Sequence, residues 1–256
     1  MNEDKQKPVI LLVHGAWHRP FHYRSLIDAL NAKGFTILVP PLASSGYDDS
    51  VDGKTYHDDM KRIHEVLLPV LDSGRTVIGV GHSYGGVPLT AAIQGHTIAE
   101  RIAEGLEGGI ASAIYISPTP ILQTGISMYE AGGNQWKTSW FHDVSNARLP
   151  LISDKAKDAF YSDVDQPAKD EAWAHVCHQS RAPFEVPIVC TPIELNIPKT
   201  YIVCANDKIF AKEVQLFIAE KWGATPLEIK SGHSPWLVDS HRDWLVEVIA
   251  EEAAKL

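Results

Sequence analysis

The stretch "TVIGVGHSYGGVPLTAAI", Thr76 to Ile93, joins a short apolar run, one serine between glycines and an apolar helical pattern. Its centre, Gly81-His82-Ser83-Tyr84-Gly85, fits G-x-S-x-G. In that pattern a strand ends in a tight turn that exposes a serine hydroxyl at the top of a sheet. The pattern alone is weak, since roughly one chain in ten of this length holds one by accident. Whether Ser83 is a nucleophile therefore depends on the rest of the sequence.

Short apolar runs and longer helical patterns alternate along most of the chain, which is typical of a mostly parallel sheet covered by helices. Strands buried on both faces are rich in apolar residues, and six such runs are predicted as strands: Val9–Val13, Phe35–Val39, Thr76–Gly81, Ala111–Ile116, Lys199–Cys204 and Pro226–Lys230. Helices are predicted at Pro20–Lys33, Tyr56–Leu71, Tyr84–Arg101, Ala211–Trp222 and His241–Lys255. The sequence therefore predicts an α/β fold with a six-stranded sheet.

The alternation breaks between Ser117 and Pro198, where aromatic residues are scattered among many polar ones. Asp165-Gln166-Pro167 has the form of a helix start, with proline near the first turn. We interpret residues 117–198 as a helical cap inserted between the fourth and fifth strands. Residues 1–116 and 199–256 are then predicted to form one core domain.

The composition and the charge exclude several classes of partner. Of 256 residues, 45% are hydrophobic and 21% are charged, and the formal net charge is −9. Nucleic acids and anionic membranes reward clustered Lys and Arg, so this acidity argues against both. No apolar run approaches the roughly 20 residues that cross a bilayer, and the N-terminal "MNEDKQKP" lacks the apolar segment of a secretory signal. We expect a cytoplasmic protein.

Neither the cysteines nor the clustered histidines predict a metal site. The chain has three cysteines, Cys177, Cys190 and Cys204. Their odd number and the absence of CxxC spacing favour buried free thiols over disulfides or metal ligands. His14, His18 and His22 recur every four residues, as metal ligands on a helix do, but Gly15 and Pro20 interrupt any helix there. We expect no metal and no cofactor.

A nucleophilic serine needs a base, a group that orients the base, and donors for the oxyanion. In sites of this type the chain order is nucleophile, acid, histidine, each at the C-terminal end of a strand. Asp207 in "CANDKIF" follows the fifth predicted strand, and His233 in "EIKSGHSPW" follows the sixth. The sequence therefore predicts Ser83, Asp207 and His233 as a catalytic triad. Asp239 and Asp243 are nearby but fall at or inside the last helix.

The first strand runs into His14-Gly15-Ala16-Trp17, a loop that can aim a backbone N–H at the serine. The N–H of Tyr84, at the start of the helix after Ser83, can supply another. We therefore predict the N–H groups of Ala16 and Tyr84 as the oxyanion hole. The candidates for the substrate pocket are Gly15, Trp17, His82, Trp136, Trp140, Phe141 and Trp236. Of these, His82 is expected to pack beside the serine rather than act in catalysis.

Four motifs in this order, "VHGAWH", "GVGHSYGG", "YIVCANDKIF" and "GHSPW", resemble those of the α/β-hydrolases of the plant methylesterase and hydroxynitrile lyase group and of related bacterial and fungal esterases. The resemblance covers roughly Val9–Ile116 and Lys199–Leu256, and in the cap it thins to "FYSDV" and "QSRAPF", as in the microbial members. It implies the α/β-hydrolase fold with a six-stranded core. It also implies the same triad, and a monomer or a homodimer.

Two positions separate the branches of this group. Lyase members resemble this chain but carry threonine where Gly15 stands and lysine directly after the catalytic histidine, where this chain has Ser234. Without that lysine no cation is available to stabilise a leaving cyanide, so hydrolysis is favoured. The chain also departs from the family pattern at Arg19-Pro20, Tyr84 and Gly232, which puts the shape of the acyl pocket in question more than the chemistry.

These observations favour a serine hydrolase that cleaves carboxylic esters, of methyl ester or lactone type, of small and fairly apolar acids through an acyl-enzyme. Two alternatives stay open. The same site can serve a lyase or a cyclase of secondary metabolism, in which product forms without net uptake of water. A ligand receptor built on a hydrolase scaffold is the other alternative, and it would bind tightly without turning over esters.

Overall fold

The computed structural model describes residues 6–140, 147–151 and 153–256. Its strands are β1 (Val9–Val13), β2 (Ile37–Leu38), β3 (Ser45–Gly46), β4 (Thr76–His82), β5 (Gly109–Ile116), β6 (His178–Gln179), β7 (Lys199–Cys204) and β8 (Thr225–Ile229). Its α-helices are α1 (Arg24–Ala32), α2 (Tyr56–Asp72), α3 (Gly86–Ile93), α4 (Ile98–Ala103), α5 (Met128–Ala131), α6 (Asp154–Phe160), α7 (Gln166–Ala174), α8 (Ala182–Glu185), α9 (Lys212–Lys221) and α10 (Asp239–Ala254).

Six of the strands form one sheet in the order β2-β1-β4-β5-β7-β8. Each pair of neighbouring strands in this sheet is parallel. β4 lies near the centre, between β1 and β5. Because parallel strands end at the same edge, the residues that follow β1, β4, β7 and β8 come together there. The prediction of a six-stranded, mostly parallel sheet flanked by helices is confirmed.

Alternate residues of the strands pack on opposite faces of the sheet, as the two-residue period of a strand requires. In β1, Val9, Leu11 and Val13 pack with residues of α2, α3 and α9, whereas Ile10 and Leu12 pack with residues of α1 and α10. None of the five is more than 1% exposed. Full burial of a side chain of this size contributes about 1.5–3 kcal/mol. These two clusters therefore hold helices on both faces of the sheet.

The predicted helix Tyr84–Arg101 is wrong as a single element. It divides into α3 and α4, and between them Gly95 has a φ of +80°. Thr97 begins α4 with a capping box, because its hydroxyl accepts from the Glu100 N–H while the Glu100 carboxylate accepts from the Thr97 N–H. The left-handed glycine and this cap start a new helix although the apolar pattern continues across the break.

Other predicted elements differ mainly at their ends. The strand predicted at Phe35–Val39 is only Ile37–Leu38, and the helix predicted at Pro20–Lys33 opens with a 3-10 turn over Pro20–Tyr23. The antiparallel pair of β3 and β6 was absent from the prediction. It joins the loop after β2 to a segment more than 130 residues away in sequence, which no local pattern indicates.

Residues 117–198 lie between β5 and β7 and contain α5, α6, α7 and α8 in the part that is described. That residues 117–198 form a helical cap, separate from the core, stays a prediction. All three cysteines are buried and free. None of the helices in the described ranges combines the length and the apolar character that a membrane span requires.

Candidate active site

Ser83 lies in a sharp turn between β4 and α3. Its φ is +51°, in the left-handed region that a residue other than glycine rarely adopts. The turn brings the next helix against the first strand, since a Cβ on Gly85 would lie 2.5 Å from the His14 carbonyl oxygen and closer still to that of Val13. The Thr119 N–H donates to the Ser83 carbonyl oxygen at 3.1 Å. Ser83 is thereby held where the carboxyl ends of the strands meet.

Asp207 and His233 form a buried hydrogen-bonded pair at the same edge. Asp207 follows β7, His233 follows β8, and the distance from Nδ1 to Oδ2 is 2.7 Å. The carboxylate also accepts from the Ser117 hydroxyl and from the N–H of Ile209 at 2.6 Å. Burial opposes ionisation, but His233 and these hydrogen bonds outweigh it and lower the pKa of Asp207. The carboxylate is therefore ionised at neutral pH.

The bond to Asp207 leaves the second nitrogen of His233 available as an acceptor. With Nδ1–H donated to the carboxylate, Nε2 carries a lone pair, and no described residue hydrogen-bonds to it. His233 is fully buried, with its ring centroid 5.8 Å from that of Phe160 and 5.9 Å from that of Phe210. Buried polar atoms are nearly always paired, so a lone acceptor here is typical of a group that acts on a ligand.

His82 lies behind the site and connects three of its loops. The Tyr23 hydroxyl donates to His82 Nδ1 at 2.6 Å, and His82 Nε2–H donates to the His233 carbonyl oxygen at 2.9 Å. The Tyr23 oxygen in turn accepts from the Gly15 N–H at 2.8 Å. Burial, together with the neighbouring His233, holds the pKa of His82 well below 6.5. His82 is therefore neutral, and its bonds fix the loops around Ser83.

In the loop after β1, the N–H groups of three neighbouring residues have acceptors, whereas that of Ala16 has none among the described residues. The Gly15 N–H is bound by the tyrosine hydroxyl, and the Trp17 N–H donates to Gln179 Oε1 at 3.2 Å. The His18 N–H donates to the Gly15 carbonyl oxygen at 3.4 Å. The Ala16 N–H makes no hydrogen bond within the described part of the chain. Of these four N–H groups, it is thus the one that is available to a ligand.

Tyr84 supplies a second N–H beside Ser83. It lies in the 3-10 turn that opens the helix after the serine, and the first N–H groups of a helix have no intrahelical acceptor. Ala16, Ser83 and Tyr84 all line one cavity. Two backbone N–H donors, the Ser83 hydroxyl and the Asp207–His233 pair therefore lie at the same edge of the sheet.

The histidines of the first loop are buried structural groups. His14 Nε2 accepts from the Leu42 N–H at 3.0 Å, and the Tyr161 hydroxyl donates to His18 Nε2 at 2.8 Å. Burial lowers the pKa of His14 to about 3 and of His22 to about 4, and it holds that of His18 well below 6.5. Within the described ranges, no three His, Cys, Asp or Glu side chains cluster as a metal site requires.

A polar network supports Tyr84 from behind. Its hydroxyl donates to the buried Asp59 carboxylate, which also accepts from the N–H and the hydroxyl of Ser44 at 2.8 and 2.6 Å. Gln179 Nε2–H donates to Ser44 Oγ at 2.9 Å, and Gln179 Oε1 accepts from the Ser45 hydroxyl at 2.6 Å. Because Gln179 also binds the loop after β1, this network links that loop to the helix after Ser83.

A cavity of about 200 Å³ opens at Ser83. Its apolar walls are Trp17, Met128, Trp136, Trp140, Phe160, Phe184, Ile209 and Phe210. Lys137 is the one charged side chain among the described lining residues, and its Nζ lies 4.5 Å from the centre of the Trp140 ring. Burial lowers the pKa of Lys137, although the Asp207 charge opposes this. The cavity therefore suits a small apolar group, with one cation at its wall.

The predicted pocket residues divide into three groups. Three of them line the cavity: Trp17, Trp136 and Trp140. Three others are absent from its lining, which corrects the prediction: Gly15, His82 and Trp236. Trp236 is 1% exposed and stacks on Tyr23 with ring centroids 4.2 Å apart, so it fills the core beneath the site, as His82 does. Gly15 presents its N–H to Tyr23. Phe141 lies outside the described residues.

Sequence reasoning missed the polar residues that support the site: Tyr23, Asp59, Ser117 and Gln179. One signal was available for Gln179, because it belongs to the segment "QSRAPF" that resembles the microbial esterases. Phe184, from the same segment, lines the cavity and stacks on Trp17 with ring centroids 5.8 Å apart. This segment therefore supplies both a support and a wall of the site.

Comparisons with known proteins find similar sequences over most of the chain. The model of the "Alpha/beta hydrolase family" matches residues 10–248. The alpha/beta hydrolase nvfD of Aspergillus novofumigatus is 28% identical over 257 residues, which cover 97% of this chain and 98% of that protein. Methylesterase 1 of Arabidopsis thaliana is 31% identical over 100 residues, 37% of this chain and 36% of that protein. The resemblance to the methylesterase group is confirmed.

A solved structure is similar over nearly the whole chain. The crystal structure of a methylesterase protein from Arabidopsis matches with a TM-score of 0.74 at 20% identity, and the match covers 97% of this chain and 100% of that chain. At this identity the likeness concerns the fold, which is the α/β-hydrolase fold predicted from the motifs.

Proposed function

Because the chain belongs to the alpha/beta hydrolase family, we propose that it is a serine hydrolase that cleaves carboxylic esters of methyl ester or lactone type through an acyl-enzyme. One observation carries the proposal: the buried Asp207–His233 pair leaves Nε2 unpaired at the sheet edge where Ser83 lines an apolar cavity. An ionised acid, an imidazole with one free nitrogen and a strained serine turn are the parts that acyl transfer to serine requires.

In the proposed reaction, His233 Nε2 takes the proton of Ser83 Oγ as this oxygen attacks the ester carbonyl carbon. Asp207 keeps Nδ1 protonated and stabilises the imidazolium that forms. The imidazolium then gives its proton to the departing alkoxide, which leaves as the alcohol. A water molecule, deprotonated by the same nitrogen, attacks the acyl carbon and releases the acid and free Ser83.

The oxyanion of the tetrahedral intermediate would be held by the N–H groups of Ala16 and Tyr84. The lack of an acceptor for the Ala16 N–H and the position of Tyr84 at a helix start support this assignment. One donor of this kind is worth about 2.7–4 kcal/mol of transition-state stabilisation. The donors belong to the backbone, so side-chain substitutions test them poorly.

The cavity favours esters of small, fairly apolar acids. Its volume of about 200 Å³ and its aromatic walls suit flat or branched acyl groups. The likeness to Methylesterase 1 makes methyl esters the first candidates. Ser234 directly follows His233 and is uncharged, so the position that carries lysine in the lyases supplies no cation for a leaving cyanide. Hydrolysis is therefore favoured over cyanohydrin cleavage.

Turnover of p-nitrophenyl acetate and of a panel of methyl esters tests the proposal. Ser83→Ala is expected to lower kcat by about 10⁴-fold or more, because the nucleophile is lost. Ser73→Ala, at an exposed serine directly after α2, is the matched control and should keep wild-type kcat. Undiminished turnover by Ser83→Ala would refute the assignment of the nucleophile.

A further inference from the structure

The segment between α6 and α7 contacts the loop that carries His233. Asp163, in this segment, accepts a hydrogen bond at Oδ2 from the Gly232 N–H at 2.7 Å and another from the Ser231 hydroxyl at 3.0 Å. These two residues directly precede His233. Ser231 and His233 are both fully buried, so the donors have little access to competing water, and their bonds to a carboxylate are of the stronger, charge-assisted kind.

Gly232 permits this close contact. A Cβ at this position would lie 2.5 Å from Asp163 Oδ1 and 2.5 Å from Ser162 Oγ. A larger residue there would push the segment away from the loop. Gly232 was one of the departures from the family pattern, and the contact with Asp163 gives it a physical reason.

Three side chains hold the loop of His233 from different directions. Asp207 binds its Nδ1 and His82 binds its carbonyl oxygen. Asp163 binds the peptide N–H of the preceding residue. Asp163 differs from the other two because it comes from the segment inserted between β5 and β7. Phe160, three residues earlier in that segment, lines the cavity and contacts the His233 ring.

We infer that Asp163 is a positioning residue, which sets the orientation of His233 and couples it to the Phe160 wall of the cavity. The inference rests on the proposed function, in which His233 is the general base. Asp163 is absent from the cavity lining, and the Nδ1 atom of His241 lies 3.8 Å from its Oδ2. Asp163 therefore acts through the loop. A displacement of a reacting group by about 1 Å can cost about 10²-fold in rate.

Steady-state kinetics with p-nitrophenyl acetate test this role. Asp163→Ala is expected to lower kcat about 10- to 100-fold and to leave KM within about two-fold, because the base is misplaced and the cavity is intact. Asp163→Asn keeps a carbonyl oxygen that can accept from Gly232 and should restore most of the lost kcat. Asp158→Ala is the control: it removes a carboxylate of α6 that is 67% exposed, and it should keep wild-type kcat.

A merely structural role gives a different result. In that case Asp163→Ala lowers the Tm but, once folded, keeps the kcat of the Asp158→Ala control, and this overturns the inference. If Asp163→Ala does not fold, Ser231→Ala is tested instead, because it removes one of the two hydrogen bonds to Asp163. Its kcat should fall about three-fold at unchanged KM. An unchanged kcat of Ser231→Ala also overturns the inference. A wild-type protein without esterase activity overturns the proposed function and this inference together, whereas an active wild type with an equally active Asp163→Ala overturns the inference alone.

Discussion

Replacement of Asp59 by asparagine is expected to remove one pH-dependent component of the stability. Asp59 lies on α2 at 0% exposure, and its carboxylate accepts hydrogen bonds from Ser44 and from the Tyr84 hydroxyl. Burial raises the pKa of Asp59 from 3.8 to about 6, although these hydrogen bonds oppose the rise. An asparagine has nearly the same volume and does not titrate.

The sign follows from the two pKa values of this carboxyl. Below pH 3.8 the folded and the unfolded chain both carry the proton, so Asp59 causes no pH dependence. Between pH 3.8 and 6 the unfolded chain has released the proton that the folded protein still holds, so stability falls as the pH rises. Above pH 6 the full cost of about 3 kcal/mol remains. About 2 kcal/mol of it develops between pH 4.5 and 7.5.

Urea unfolding at pH 4.5 and 7.5, followed by tryptophan fluorescence, measures this cost. From pH 4.5 to pH 7.5, the free energy of unfolding of the wild type should fall by about 2 kcal/mol more than that of Asp59→Asn. Asp28→Asn, an exposed carboxylate on α1, is the control and should follow the wild type. If the free energies of unfolding of the wild type and of Asp59→Asn change by the same amount, the raised pKa of Asp59 is refuted.

Two further substitutions test the site. Ser117→Ala removes a hydrogen bond to Asp207, so the pKa of Asp207 should rise and kcat/KM for p-nitrophenyl acetate should fall about ten-fold. Ser112→Ala is the control, because the Ser112 hydroxyl has no partner in the described structure. Equal losses of kcat/KM in both variants would contradict the role of Ser117. Lys137→Met should raise KM for p-nitrophenyl hemisuccinate about three- to five-fold and leave KM for the neutral acetate unchanged. Lys208→Met, an exposed lysine outside the cavity lining, should change neither, and an equal rise with both esters would show that the Lys137 charge is not responsible.

The central strands of the sheet could be predicted from the sequence because β1, β4, β5 and β7 are buried along nearly their whole length. Val9–Val13 and Thr76–His82 are rich in apolar residues. Such runs can be recognised in the sequence without knowledge of tertiary contacts. The pair Ser45–Gly46 and His178–Gln179 is polar and two residues long. Its position is decided by tertiary hydrogen bonds, so no local pattern marked it.

The part of the site that lies at the ends of strands could also be predicted from the sequence. Asp207 and His233 could be predicted to lie together because each follows a strand of a parallel sheet, and a hydrogen bond joins them in the structure. The direction of side chains could not be predicted in this way. Trp236 adjoins the histidine loop in sequence but points into the core. Asp163 and Gln179, which hold the site together, come from the inserted segment, where neither periodicity nor spacing indicated a role.

The supporting hydrogen bonds also bear on which N–H of the first loop can meet an oxyanion. Buried backbone N–H groups are nearly always paired, and here Tyr23 and Gln179 pair those of Gly15 and Trp17. Only the Ala16 N–H of these three has no acceptor in the described part of the chain, and Ala16 lines the cavity. In the proposed reaction, the distant polar residues therefore do more than stabilise the fold: they occupy the neighbouring donors, and of these three N–H groups that of Ala16 is open to the oxyanion. A change at Gln179 should then act on transition-state stabilisation although Gln179 lies outside the cavity lining.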